Sequence, residues 1–318
     1  MSAAAPSPAE ITALRSGAAL VDRSGGGGRL SLTGPQAKEA LSAVVTNEIE
    51  ALSPGHGCLA ACCTAKGRML GDLRVLATDA ELLLDMERCA LQPIFDAVRH
   101  GLVGYDAELH KRTLQTSLFS LLGPQSRAVA GADSLGENED DNVAAELGGR
   151  PVLLIATNLG VDILCGAEDE APVRAALLTG GATAADEVLA ELARIESGRP
   201  RYGVDLDQTV IPEEGGLNDR AVSFTKGCYV GQETIARLHY RGRPNRRLCS
   251  LKLSGEAEVG DSLSTADREV GTLTSLAISP QDGPIGLALI RREAEDGSTL
   301  KVGDGSVEAT LFPAPSEQ

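Results

Sequence analysis

The sequence predicts an α+β chain built from two similar units, each an antiparallel sheet with helices, followed by a small all-β domain. Three observations carry this. Short apolar runs separated by turn residues occur in two rounds, helical apolar spacing follows within each round, and only strand-like runs remain after Pro244. A length of 318 residues suits two or three domains of roughly 100 to 150 residues.

Taken in order, residues 1–8 read as a loose tail, with neither the basic nor the apolar region of a signal peptide. The glycine run at 25–28 lacks the spacing and the Lys-Ser/Thr of a phosphate loop, and reads as a flexible hairpin tip. Pro35 near a first turn, with Leu41, Val44 and Val45 on one face, predicts a helix over 34–45. Runs at 58–64, 69–76 and 82–86, parted by turns at 65–68 and 78–80, predict an antiparallel meander. Leu91, Ile94, Phe95, Val98 and Leu102 then recur at helical spacing. The second round passes through strands at 118–122, 152–156 and 161–165 to a helix over 171–178. Between the rounds, the polar and acidic stretch 134–142 has little to bury and reads as a solvated loop. A helix from Asp186 turns Val188, Leu192 and Ile195 inward and closes at Ser197-Gly198 before Pro200, which sets Glu196 at its end. Strands at 248–253, 269–276, 285–291 and 299–302 predict a small barrel or sandwich, so the chain divides into residues 1–243 and 244–318.

Apolar residues make up 42% of the chain but aromatics only 3%, with no tryptophan, so its cores must be aliphatic. A net charge of −16 disfavours DNA and anionic membranes as partners. No stretch approaches the ~18 apolar residues that a membrane span requires. Seven cysteines scattered over a long chain form no disulfide framework and read as reduced thiols in a cytoplasm.

The most informative segment is Phe224-Thr225-Lys226-Gly227-Cys228-Tyr229-Val230-Gly231-Gln232-Glu233. A cation near a cysteine stabilises the thiolate, the form that does chemistry, and Gly227 and Gly231 permit close backbone approach. A structural turn around a half-buried cysteine is the other reading. Residues 226–247 hold six bases and one acid, a net +5, against 23 bases and 44 acids elsewhere, a net −21. That island suits a carboxylate- or phosphate-bearing ligand. It equally suits an internal network with Asp205, Asp207, Glu213, Glu214 and Asp219. Cys58, Cys62 and Cys63 lack a second ligand pair at metal spacing and read as core thiols. Asp72 lies in an apolar strand, where a carboxylate needs a partner, and Arg74 on the same strand face is one candidate. No H-E-x-x-H or G-x-S-x-G motif supports a hydrolase.

Together these residues resemble the YgfZ family of folate-binding proteins, relatives of the glycine-cleavage aminomethyltransferase, the T-protein. Residues 226–233 match the K-G-C-Y-x-G-Q-E signature of that family. Thr46-Asn47-Glu48, residues 194–200 with Tyr202-Gly203-Val204-Asp205, and residues 271–275 with Ser279-Pro280 extend the match along nearly the whole chain. The resemblance implies a T-protein-like three-lobed arrangement, ending in a small β-barrel, around a central opening that binds tetrahydrofolate. It implies that Glu196 recognises the pterin, whose edge offers parallel N–H donors. On this reading Asp72 and Tyr202 are expected as further folate contacts, and Arg241 and Arg243 are expected to hold the folate tail. Cys228 becomes the reactive or cluster-contacting thiol and Lys226 its electrostatic activator, with no resident metal. T-proteins carry Asp-Asp where this chain has Gly71-Asp72, and they lack the cysteine motif. Both departures point away from aminomethyl transfer. The function implied is a cytoplasmic, tetrahydrofolate-binding accessory factor for assembly or repair of iron–sulfur clusters, with client enzymes or assembly machinery as partners. A folate-dependent aminomethyl or one-carbon transferase is the alternative. A tRNA-modification-related binding protein using the basic island comes third, opposed by the net charge.

Overall fold

A capping box starts the chain's order: Ser7 Oγ accepts from the Glu10 amide and Glu10 reaches back to the Ser7 amide. The computed structural model describes residues 5–266 and 268–313. The cap launches helix α1 (Pro8–Ser16), so the expected tail is helical from Pro8, while residues 1–4 of it lie outside the described residues. After α1 come β1 (Ala19–Asp22), β2 (Gly27–Thr33), α2 (Ala37–Ser42), β3 (Gly57–Cys63), β4 (Met69–Ala77), β5 (Leu82–Glu87), α3 (Leu91–Gly101) and β6 (Glu108–Lys111). Except for β1, these strands form a five-stranded antiparallel sheet in the order β3-β4-β5-β2-β6. Leu41 of α2 with Ile94 and Val98 of α3 close over Leu30, Leu73 and Leu84, all essentially buried. The glycine run is no hairpin tip, because Gly27 and Gly28 already pair with Glu87 and Met86 as the start of β2.

The second round comprises β7 (Thr116–Leu122), α4 (Ser126–Ala130), β8 (Asn142–Leu147), β9 (Arg150–Thr157), β10 (Gly160–Gly166), α5 (Glu170–Thr179) and β11 (Thr183–Ala185). Its six-stranded sheet runs β11-β1-β7-β10-β9-β8 and borrows β1, which lies antiparallel to β7 and parallel to β11. The two units therefore interlock through the N-terminal strand. Leu76 meets Leu118, Ile155 and Leu164 where the sheets face each other. The period of two along β4 places Asp72 and Arg74 on that same face.

Residues 134–142 begin as the expected solvated loop, with Ser134 and Gly136 to Asn138 exposed, but end differently. Asp140, Asp141 and Asn142 are 4%, 4% and 5% exposed. Local bonds make this possible: Asp141 accepts from His56 Nδ1 at 2.7 Å and from the Asn138 amide at 2.9 Å. The Asp140 and Asn142 amides donate to Ala156 and Gly55 carbonyls.

The rest of the chain gives α6 (Glu187–Glu196), α7 (Asn218–Ala221), α8 (Gln232–Arg241), β12 (Arg246–Leu253), β13 (Ser262–Ser264), β14 (Glu269–Ser279), β15 (Gly283–Arg291), β16 (Thr299–Val302) and β17 (Val307–Pro313). The last six strands close as a barrel in the order β12-β15-β14-β13-β16-β17, which decides between barrel and sandwich. Helix α6 binds the three parts together. Its Leu192 and Ile195 pack on Leu248, Ala277 and Leu287 of the barrel, and Leu189, Ala190 and Ala193 pack on α1 and β1. Val188, expected inward, is only half-buried. Among the described residues no helix is long and apolar enough to cross a membrane.

Candidate functional site

A cavity of about 270 Å3, its wall part apolar and part charged, lies between the sheets and α6. Strand β4 presents Asp72 and Arg74 to it, β10 presents Asp162, the turn before β8 presents Asp140, and the segment after α6 presents Tyr202.

Arg74 does not pair with Asp72, contrary to the sequence reading. It donates to Asp85 at 2.6 Å and to Asp162 at 2.7 Å. Register explains the choice: Arg74 stands opposite Asp85 across the β4–β5 ladder, and Asp162 faces it from the second sheet. Ser120 Oγ completes Asp162 at 2.6 Å. The guanidinium is thereby fixed in a desolvated cluster spanning both sheets.

Two carboxyls in the wall are left without such partners. Burial pushes Asp72 up to about 6, against a hydrogen bond from its own backbone. Burial likewise pushes Asp140 up to about 6, although Arg74 and Arg220 pull it down. Asp140 Oδ1 is sealed from solvent and has no hydrogen-bond partner. Such an orphaned acceptor costs about 1–3 kcal/mol. Tyr202 donates its hydroxyl to the Met69 carbonyl at 3.4 Å, and burial pushes its phenol up to about 12.

Arginines line the opposite part of the wall. Arg199 and Arg220 each bond Glu139, both with a 3.0 Å contact, and Arg201 bridges Glu87 at 3.0 Å and Glu191 at 2.9 Å. Sequence reasoning singled out none of Glu139, Asp140, Arg199, Arg201 and Arg220 as site residues. The available signal is the pair of matched segments 194–200 and 202–205, the first of which contains Arg199, with Arg201 lying between them.

The residues expected at the site divide. Asp72 and Tyr202 line the cavity. Glu196 does not: it lines an adjoining cavity of about 470 Å3 that shares Thr157, Asn158 and Leu159 with the first. There Arg15 holds it at 2.6 and 2.7 Å, and Ser279 Oγ at 2.8 Å. Lys226, expected as the activator of Cys228, is 8% exposed, and its ammonium donates to the carbonyls of Ser42, Val45 and Asn47 at 2.8, 3.0 and 2.5 Å. Burial pushes it down, and the thiol within its electrostatic reach is Cys58. Cys228 is exposed and outside the cavity. Its loop is fixed at Gly231, where φ is +90° and a Cβ would come within 2.6 Å of the Thr64 carbonyl.

Arg241 and Arg243, at the end of α8, are exposed and also lie outside the cavity. The basic island is split between its two readings. Arg246 pairs with Glu214 at 3.2 Å and Arg247 with Asp296 at 2.7 Å, while Arg237, Arg241 and Arg243 have no ion pair among the described residues. Cys62 and Cys63 are buried as expected, and no group of three or more metal-ligating side chains forms among the described residues.

Comparison with known proteins adds a family to this geometry. A family model described as the GCVT N-terminal domain matches residues 2–226, and one described as the CAF17 C-terminal beta-barrel domain matches residues 245–314. A chloroplastic protein of Arabidopsis thaliana is 29% identical over 92% of this chain and 70% of its own. An aminomethyltransferase of Streptomyces coelicolor is 29% identical over 88% of this chain and 80% of its own. The crystal structure of the glycine cleavage system aminomethyltransferase T from Bartonella henselae superposes with a TM-score of 0.84 at 19% identity, covering 96% of this chain and 87% of that one. The expected T-protein-like α+β fold with a terminal barrel, and the resemblance that implied it, are both borne out.

Proposed function

The chain belongs to the GCVT N-terminal domain family, and from that premise we propose that it is a tetrahydrofolate-binding accessory protein supporting assembly or repair of iron–sulfur clusters in client enzymes. One observation carries the reading: a solvent-open cavity lined by carboxylates and arginines and an exposed thiol occupy different surfaces. A thiol outside the cavity is presented to a partner rather than to the small molecule inside. The cavity suits a folate. Its volume is near the lower end of the ~300–1,000 Å3 typical of ligand pockets, enough for the pterin with the tail extending outward. Carboxylates at Asp72 and Asp140 are acceptors for pterin N–H groups, and Arg199, Arg201 and Arg220 suit the tail carboxylates by exchange of partners. Seven free cysteines suit a reducing compartment, and we place the protein in the cytoplasm.

The test has two arms. Tetrahydrofolate is titrated into wild type and Asp72→Asn by calorimetry, with weaker binding expected for the variant; no binding to wild type removes the folate half. Cys228→Ser is then supplied to a strain lacking the gene, where iron–sulfur enzyme activity is expected to stay low. Full restoration removes the thiol's role. The transferase alternative keeps one point in its favour, the raised carboxyl of Asp72, and turnover of tetrahydrofolate with an aminomethyl donor would establish it.

A further inference from the structure

Asp140 is the one non-glycine residue with positive φ among the described residues, at 66°. An aspartate tolerates this conformation, but the surroundings must impose it. They do: its amide donates to the Ala156 carbonyl at 2.9 Å, and next to it Asn142 N bonds Gly55 O and Ala156 N bonds Asp141 O, both at 2.8 Å. Asp141 is tied to His56 and Asn138. These neighbouring groups are answered. The Asp140 side chain is 4% exposed, lines the cavity, and accepts no hydrogen bond from any described residue. Asp85 Oδ1 in the same wall is also unbonded, but Arg74 holds the other oxygen of Asp85, whereas neither oxygen of Asp140 is held by a described residue. Arg74 and Arg220 lie close enough to influence its charge, yet bond Asp85, Asp162 and Glu139 instead.

A buried acceptor held this firmly beside a cavity, and left unanswered by the chain, is placed to take a donor from the cavity's contents. We propose that Asp140 reads the N–H donor edge of the bound ligand, which for a folate is the 2-amino-pyrimidinone edge of the pterin. This rests on the folate reading above. Two adjacent N–H groups match the two oxygens of a carboxylate. Glu196, the acid that the family resemblance implies for this edge, is already engaged by Arg15 and Ser279 and faces the neighbouring cavity.

The experiment is calorimetric titration of tetrahydrofolate and of its 2-desamino analogue into wild type and Asp140→Asn. Asparagine accepts the left-handed backbone, so the variant is expected to fold, with an unchanged circular-dichroism spectrum as control. Wild type is expected to prefer tetrahydrofolate over the analogue by about tenfold or more, and Asp140→Asn to lose about tenfold for tetrahydrofolate together with that preference. Binding of tetrahydrofolate by the variant as tightly as by wild type would mean that water satisfies the wild-type carboxylate, which overturns the assignment. A variant that still distinguishes the two ligands overturns it as well. Failure of wild type itself to bind tetrahydrofolate takes down the folate reading, and this assignment with it.

Discussion

Arg15 grips Glu196 with both oxygens of the carboxylate, at 2.6 and 2.7 Å, and so ties the first helix to the end of α6. Arg15 is 38% exposed, so water screens the pair and its worth is small. Also on α6, Arg194 binds Asp205, eleven residues further on, whose side chain is fully buried and also accepts from Ser275 and Thr274 of the barrel. Arg15→Ala is therefore expected to cost about 1 kcal/mol or less in urea unfolding. Arg194→Ala, which strands a buried carboxylate, is expected to cost about 3–5 kcal/mol. Equal losses would contradict the ranking.

Lys226 and Cys228 sit two residues apart yet have separate roles. Removing the ammonium with Lys226→Met leaves the carbonyls of Ser42, Val45 and Asn47 short of a donor. A loss of roughly 2–4 kcal/mol in stability is expected, with the alkylation rate of Cys228 in the folded protein changed less than about twofold. In wild type, short alkylation at neutral pH is expected to mark Cys228 and Cys89, the two exposed thiols. Cys58 and Cys62, pushed by burial up to about 12, and Cys165 and Cys249, pushed up to about 11, should react only after unfolding. Peptide mass spectrometry reads both results. A large fall in Cys228 labelling in a folded Lys226→Met would restore the activator role.

The strain at Asp140 has a pH signature. Its carboxyl rises from 3.8 to about 6 on folding, first through burial, with Glu139 and Asp162 adding to the rise and Arg74 and Arg220 opposing it. Between those values the folded chain keeps a proton that the unfolded chain has released, so this contribution to stability is complete below about pH 4 and lost as pH climbs past 6. Asp140→Asn lacks the titration. The stability of wild type minus that of the variant should thus fall from about pH 4 to about pH 7, by no more than about 3 kcal/mol. Comparing the two proteins cancels the opposing trends of carboxylates such as Glu139 and Glu191, which neighbouring arginines hold low against burial. A flat difference would mean that the carboxyl is not desolvated.

Most of the strand and helix pattern was legible because it rests on periods that burial enforces. Ile94 and Val98 on α3, or Leu73 and Val75 on β4, are apolar because they face a core. What escaped was set by partners distant in sequence. β1 is four residues long and reads as nothing until β7 and β11 flank it. The acidic stretch 134–142 has the composition of a solvated loop, and only His56 and the Gly55 and Ala156 carbonyls give its acids a buried home. At the site, Asp72 and Tyr202 were legible from the family motif, whereas Arg15 across from Glu196 lies 181 residues away in the chain. No local spacing announces such a pair.

Gly71 gives the last prediction, because the resemblance to T-proteins implies the first acid of a pair in its place. A side chain there has no room: a Cβ on Gly71 would lie 2.5 Å from the Ala90 Cβ and 2.9 Å from Ile94 Cδ1, fully buried residues at and inside the start of α3. The position therefore points into the first unit's core, away from the face on which Asp72 meets the cavity. Gly71→Asp would force a carboxylate against aliphatic carbon with no donor in reach. It is expected to cost about 3 kcal/mol or more in stability, through overpacking and desolvation together. It is also expected to confer no aminomethyl transfer to tetrahydrofolate, since the added acid cannot reach the ligand. The smaller Gly71→Ala separates the two effects, with about 1–3 kcal/mol expected from crowding alone. A stable Gly71→Asp protein that turns over an aminomethyl donor would show that one residue separates this chain from the transferases it resembles.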